Sequence, residues 1–274
     1  MRLLRIESLD DPRVADYRNV RDSDLRARGG VFLAEGRLNV KRLIAAERHK
    51  LRSVFVTETG LRSLRDRLES LGDDTAIYVA PQAVMNDVVG YDMHRGCLAA
   101  AERSAEVALG DLIEAASEPP ALWIVLEDLT NPDNMGGVFR NALAFGAAAA
   151  VLTARCVDPL YRKALRVSMG ASLRVPYTRV SDAPGALSRL GEAGFLRIAL
   201  TTDRDAVPLE RCRVPDRVAL LLGNEGSGSS PAALARADLR VTIPMAPGAD
   251  SLNVATASGI ALHHFRPPGG PAGP

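Results

Sequence analysis

The sequence predicts an α/β protein whose second half is a larger, mostly parallel α/β domain. Short apolar runs alternate with stretches carrying apolar residues at helical spacing along most of the chain. Several runs in the second half are apolar almost throughout, as strands buried on both faces of a parallel sheet must be. The 274 residues suffice for one large or two ordinary domains.

In the first hundred residues, Val31-Phe32-Leu33-Ala34 reads as a buried strand, Glu35-Gly36 as a turn, and Leu38, Leu43 and Ile44 as a helical stripe. Ser53–Val56 is a second strand, followed by a helix marked by Leu61, Leu64, Leu68 and Leu71. Ala76–Val79 is a third strand, Pro81 suits the first turn of another helix, and Cys97–Ala100 is a fourth strand. Residues 1–104 therefore form one α/β unit. Residues 105–120 are a linker ending in Pro119-Pro120, which cannot continue a helix. In the second domain, 121–265, strands are expected at Leu122–Leu126, Ala149–Leu152, Leu196–Leu200, Val218–Leu222 and Leu239–Ile243. Helices fall between them at 134–145, 159–169, 182–193, 231–237 and 253–264, with Ser230-Pro231 as a cap and first turn. The tail 266–274 (RPPGGPAGP) is expected to be disordered.

The net charge is +1, and the composition, 47% hydrophobic and 24% charged, is ordinary for a globular protein. The charge is unevenly placed: residues 1–52 carry +5, 53–105 carry −3, 106–160 carry −6 and 161–274 carry +5. A polyanion can therefore still meet a positive face. The 31 Arg against 3 Lys reflect base composition first and phosphate recognition second. No apolar run is long enough for a membrane span, and the N-terminus is acidic too early for a secretory signal, so a cytoplasmic protein is expected. Cys97, Cys156 and Cys212 have no paired spacing for disulfides or zinc, and no metal is expected.

Ligands of open α/β sheets bind beyond the carboxyl ends of the strands. Three such ends are rich in glycine and polar residues: Leu129–Gly137, leading to Arg140-Asn141; Gly223–Ser230; and Pro244–Asn253, entering a helix. Each has a plainer reading: a helix-capping turn at Asn131–Asn134, a flexible loop at Gly223–Ser230, or a simple N-cap at Ser251. Gly223–Ser229 spells G-x-x-x-x-G-S but lacks the lysine of a P-loop, and no dinucleotide glycine motif follows a strand. His263-His264 has no partner spaced for a metal.

The stretches NPDNMGGVFRNALAFGA (131–147), LLLGNEGSGSSP (220–231) and IPMAPGADSLNVATASGIAL (243–262) resemble, in order and spacing, the three motifs of the SpoU (TrmH-like) RNA ribose methyltransferases of the SPOUT superfamily. Asp158 to Ala171 resembles the stretch between the first two. Phe32–Arg37 resembles that family's N-terminal substrate-binding domain, similar to a small ribosomal RNA-binding protein. The resemblance covers about residues 120–264 strongly. Asp133 stands where a small residue is common, and Ser229-Ser230 replaces a more usual apolar-Ser pair.

The resemblance implies methyl transfer from S-adenosylmethionine to a ribose 2′-hydroxyl of RNA, ribosomal RNA first and transfer RNA second. It implies a C-terminal trefoil knot (an α/β-knot domain) and a homodimer with the active site near the subunit interface. It places Asn134, Arg140, Glu225, Ser251 and Asn253 in the catalytic set, and Gly223, Ile243 and Leu252 around the cofactor. Arg140 matches the catalytic arginine. Guanidinium groups stay protonated, so a phosphate clamp is the easier role and a base the harder one. Asn134 can hold that arginine or a phosphate; Glu225 can position Arg140 or a motif loop; Ser251 and Asn253 can bond the target hydroxyl or fix Asn134 and Arg140. Gly223 permits close approach, and Ile243 and Leu252 flank the adenine. Arg26, Arg28, Arg37, Lys41 and Arg42, and separately Arg162, Lys163 and Arg166, are candidate phosphate surfaces, with a solvated helix face as the plain alternative. A non-catalytic RNA-binding protein on the same fold is the competing class.

Overall fold

The computed structural model describes residues 2–18, 21–27, 30–46, 48–72, 74–94, 96–115 and 118–267. Arg28 and most of the expected tail lie outside them. The chain divides into two units: Met1–Ala105 with Leu160–Leu173, and Glu106–Pro159 with Arg174–Pro274.

The first unit holds strands β1 (Arg2–Arg5), β2 (Val31–Glu35), β3 (Leu51–Val56), β4 (Ala76–Val79) and β5 (Cys97–Glu102), with helices α1 (Asp22–Ala27), α2 (Arg37–Ala46), α3 (Glu58–Glu69) and α4 (Gln82–Val89). The sheet order is β1-β4-β3-β5-β2, parallel from β1 to β3 and antiparallel across β5. Pro81 stands at the N-cap of α4, one position before its first turn. β1 has no counterpart among the expected strands, because it is an edge strand with three of its four residues exposed and no alternation to read. Tyr17 anchors the core. Its ring lies 5.2 Å from that of Phe55, and its buried hydroxyl donates to the Ser53 carbonyl (2.9 Å) while accepting from the Ala100 amide (3.2 Å). Burial, outweighing those bonds, pushes the phenol's pKa well up.

The segment Leu160–Leu173 is assigned by sequence to the second domain, yet it belongs to the first unit. Its helix Arg162–Val167 packs on β2, burying Ala164 and Leu165. Arg162 Nε lies 3.0 Å from Asp22 and Arg166 lies 3.3 Å from Glu35. A helix too short to be stable alone goes where its apolar side is covered and its cations are matched.

The second unit adds α5 (Leu109–Ala115), β6 (Ala121–Leu126), α6 (Pro132–Ala144) and β7 (Ala149–Thr153). Counting Arg162–Val167 as α7, it continues with β8 (Tyr177–Val180), α8 (Ala183–Glu192), β9 (Leu196–Leu200), β10 (Val207–Pro208), β11 (Arg217–Leu222), α9 (Pro231–Leu234), β12 (Leu239–Thr242) and α10 (Val254–Phe265). All seven strands pair in parallel in the order β10-β12-β9-β11-β6-β7-β8. β6 and β7 are buried at every residue, as their unbroken apolar runs predict. β12 is not: beside the two-residue β10 near the sheet's edge, only Val241 is buried. Trp123 on β6 packs 5.3 Å from Phe195, and burial of such a side chain contributes on the order of 3 kcal/mol.

The chain runs from β6 outward to β7 and β8, then returns to place β11 on the other side of β6. The β6/β11 boundary is therefore a switch point, where adjacent connections diverge and open a crevice at the carboxyl ends. Among the described residues no helix is long and apolar enough to cross a membrane.

Candidate active site

A cleft of about 520 Å³ opens at the carboxyl ends on the β11 side of that boundary. It is lined by the ends of β9 and β11, the loops after β11 and β12, and the start of α6 and α10. All three glycine-rich strand ends singled out in the sequence contribute to it, and so does one that was not, Thr201-Thr202-Asp203 after β9.

The loop after β6 is tied to the loop after β11 by a set of side-chain bonds. Glu225 accepts from the Asn131 amide (3.1 Å) and from Asn134 Nδ2 (3.0 Å). Asn224 Nδ2 donates to the Asp128 carbonyl (2.8 Å). Buried Glu127 accepts from both the amide (2.8 Å) and hydroxyl (2.7 Å) of Ser230, whose Oγ also caps α9. Asp128 itself has φ 55°, a conformation L-residues rarely adopt. Its carboxylate accepts from Thr153 Oγ1 (2.8 Å) and pairs with Arg155, whose guanidinium holds the carboxyl pKa below the usual range.

The third loop joins through one residue. Asn253 Oδ1 caps α10 by accepting from the Ala255 and Thr256 amides, while Nδ2 donates to Asn134 Oδ1 (2.8 Å). The N-cap is Asn253; Ser251 lines the cleft and has no hydrogen-bond partner among the described residues. Asn134 is buried and braced from both sides, by Glu225 and by Asn253. Below this point α6 and α10 pack closely: a Cβ on Gly137 would lie 2.6 Å from that of Ala255, and Asn141 Nδ2 donates to the Ala255 carbonyl (2.7 Å).

Seven of the eight expected site residues line the cleft: Asn134, Gly223, Glu225, Ile243, Ser251, Leu252 and Asn253. Arg140 does not. Six residues beyond Asn134 on α6, it points about 120° away from it, given 3.6 residues per turn, and is exposed. Neither Asn134 nor Glu225 holds it; both are engaged with the motif loops instead. Gly223 is required by the path of the loop itself. A Cβ there would stand 2.2 Å from the Ser229 amide nitrogen, so the close approach is made by the loop's own backbone.

That loop is closed on itself. Asn224 and Gly228 exchange backbone bonds (3.0 and 2.9 Å), and Asn224 Oδ1 takes the amides of Gly226 and Ser227. Four of the loop's amides, those of Asn224, Gly226, Ser227 and Gly228, are thereby occupied, which argues against a phosphate cradle beside the missing lysine. The charged residues lining the cleft are Asp203 and Glu225, both acidic. With apolar Leu200, Ile243, Met245 and Leu252 alongside, this lining suits a ligand with a flat aromatic part and a positive charge. S-adenosylmethionine fits that description, whereas a nucleoside triphosphate does not.

Glu127, Asp128 and Asn224 carry much of the site's rigidity and were absent from the expected set. The signal available was the run Glu127-Asp128 directly after a fully apolar strand. The histidine pair is structural: the His264 ring nitrogen lies 2.9 Å from the Cys212 carbonyl, and His263 packs edge-on against Phe145.

In the first unit, the two cationic clusters, far apart in sequence, lie on α1, α2 and the segment around α7. Arg162 and Arg166 are engaged by Asp22 and Glu35, and Arg42 donates to the Met169 carbonyl. Arg37 and Lys41 are exposed on α2 without an ion pair among the described residues.

Residues 121–263 match the model of the SpoU rRNA Methylase family. A Mycobacterium bovis protein described only as an uncharacterized tRNA/rRNA methyltransferase is 39% identical over 97% of this chain and 92% of its own. A 23S rRNA (guanosine-2′-O-)-methyltransferase of Neisseria meningitidis serogroup B is 30% identical over 74% of this chain and 81% of its own. The crystal structure of an AdoMet-bound rRNA methyltransferase from Sinorhizobium meliloti superposes with a TM-score of 0.80 at 25% identity, covering 96% of this chain and 97% of that one. With its three motif loops braced around one cleft, this chain belongs to the SpoU family of RNA methyltransferases.

Proposed function

We propose that the protein transfers a methyl group from S-adenosylmethionine to a ribose 2′-hydroxyl of RNA, with ribosomal RNA as its substrate in the cytoplasm. The observation that carries this reading is the Asn134–Glu225–Asn253 network at the mouth of a cleft whose charged lining is wholly acidic. When bound there, S-adenosylmethionine supplies an electrophilic methyl group. Gly223, Ile243 and Leu252 hold the cofactor through backbone and apolar contacts. Ser251, exposed at the cleft, hydrogen-bonds the target hydroxyl. Asn134, Glu225 and Asn253 keep the loops at fixed spacing, which an in-line displacement requires. Arg140 clamps the RNA phosphate beside the target ribose, as forked donors do.

Arg140 lies off the cleft of its own chain, which supports a homodimer in which a second copy brings arginine and cleft together. The return of the chain to place β11 beside β6, with α10 packed on α6, supports the trefoil-knotted arrangement. The first unit, with Arg37 and Lys41 exposed, serves as the RNA-binding domain. Single-stranded loops are its target, since a ribose inside an A-form helix is hard to align with a buried donor. The test is mapping of ribose methylation across total RNA from cells with and without the gene. A 2′-O-methyl nucleotide of ribosomal RNA that disappears with the gene is the expected result. Loss of a methylated base, or of a transfer-RNA ribose methyl alone, would overturn the assignment of chemistry or of substrate respectively.

A further inference from the structure

Of the two acidic groups in the cleft, Glu225 is already committed: its Oε1 accepts from Asn131 and Asn134, and its Oε2 takes longer bonds from the Thr130 amide (3.5 Å) and Asn224 Nδ2 (3.4 Å). Asp203 is not. It stands in the loop after β9, positioned by its own amide donating to Thr201 Oγ1 (3.2 Å), while the Thr201 amide donates to the Val241 carbonyl of β12 (2.9 Å). Its charged neighbour is Arg240, 3.6 Å away and half-exposed, too far for a hydrogen bond. The Asp203 carboxylate therefore keeps its capacity to accept from a ligand in the cleft.

The cleft has two unlike ends. On the β6 side stand the amides of Asn134 and Asn253 and the carboxylate of Glu225. On the β9/β12 side stand Leu200, Ile243 and Met245. β11 lies between β9 and β6, so the two ends are about 10 Å apart at the usual strand spacing. An adenine ring placed at the β9/β12 end would bury its apolar faces against these side chains, which would bring the ribose attached to it beside Asp203. Two adjacent acceptor oxygens suit two adjacent hydroxyls.

We infer that Asp203 binds the ribose 2′,3′-diol of the cofactor and so sets which way the cofactor lies, adenosine at β9/β12 and reacting methyl towards Asn134. This inference rests on the cofactor assignment of the proposed function and adds a residue outside the three motifs.

The test is calorimetric titration of the full-length protein and its Asp203→Ala and Asp203→Asn variants with two probes. S-adenosylhomocysteine carries the diol and the amino-acid ammonium; 5′-methylthioadenosine carries the diol alone. One charge-assisted hydrogen bond corresponds to roughly a 10- to 100-fold change in affinity. Asp203→Ala is expected to weaken both probes by about that factor and equally, with thermal melting unchanged because the residue is half-exposed. Asp203→Asn, the same shape without the charge, is expected to weaken both by a smaller factor, and it decides the matter if the alanine variant does not fold. Unchanged affinity for both probes overturns the inference, and so does a loss confined to S-adenosylhomocysteine, which would assign Asp203 to the ammonium. Failure of the parent protein to bind either probe would remove the cofactor assignment itself; binding by the parent with unaffected variants removes only the role of Asp203.

Discussion

Asn134 and Arg140 share a helix but have opposite environments, and their substitutions should separate accordingly. Asn134 is buried and gives one bond to Glu225 and takes one from Asn253. Asn134→Ala breaks the brace between three loops, so methyl transfer should fall by about a hundredfold, as for a misplaced reacting group. Stability should fall by about 1–3 kcal/mol as the partners lose a bond. Arg140 is exposed. Arg140→Ala should abolish methyl transfer while leaving the melting temperature and cofactor affinity unchanged. Steady-state kinetics beside calorimetry separates the two patterns; full activity in Arg140→Ala would remove the clamp role. The identities of both residues were legible as motif positions. Which of the alternatives open to Asn134 is realised was not, because its partners Glu225 and Asn253 lie 91 and 119 residues away and no local pattern records the choice.

At the scale of elements, the site depends on loops held in shape by their own hydrogen bonds. The loop after β11 folds back so closely that a Cβ at Gly223 would meet the backbone of Gly228 and Ser229 at 2.3 and 2.2 Å. Backbone cannot swing aside as a flexible side chain can. Gly223→Ala should therefore open the Asn224–Gly228 bridge, destabilise the protein by about 1–3 kcal/mol and sharply weaken cofactor binding, checked by melting and by titration. A variant that binds as tightly as the parent would show that the loop tolerates another shape. The central strands were readable because burial on both faces leaves an unbroken apolar run. The edge strands β1, β8 and β10 were missed because a partly exposed strand of two to four residues carries no period to detect.

For the whole molecule, pH offers a probe of the first unit that does not involve the cleft. His49 is buried, its ring edge-on to Phe32 at 4.9 Å and its Nδ1 accepting from the Ser104 amide (3.2 Å). Burial, then the charges of Arg48 and Arg103, push its pKa down to about 4 from 6.5. The folded value lies below the unfolded one, so protons bind the unfolded chain preferentially. The stability this group contributes is complete above about pH 6.5 and is lost as pH falls towards 4. The loss should reach about 3 kcal/mol. Denaturant unfolding of the parent across that window should slope downward with acid, and His49→Gln should remove that part of the slope. Equal slopes in the two proteins would show that the histidine is not held neutral.

The sequence by itself determined the α/β class, the parallel core strands, and the three polar loops that follow them. Periodicity and composition report which face of an element is apolar and where the chain turns, and both are local properties. Only the tertiary structure decided that Leu160–Leu173 belongs to the first unit, that Arg140 faces away from the cleft its neighbours line, and that Asp203 stands inside it. The first and last depend on where a crossover carries the segment or loop, and the second on which side of α6 the cleft forms. A short helix settles where its buried side finds cover, and a carboxylate's role depends on which donors reach it across the sheet.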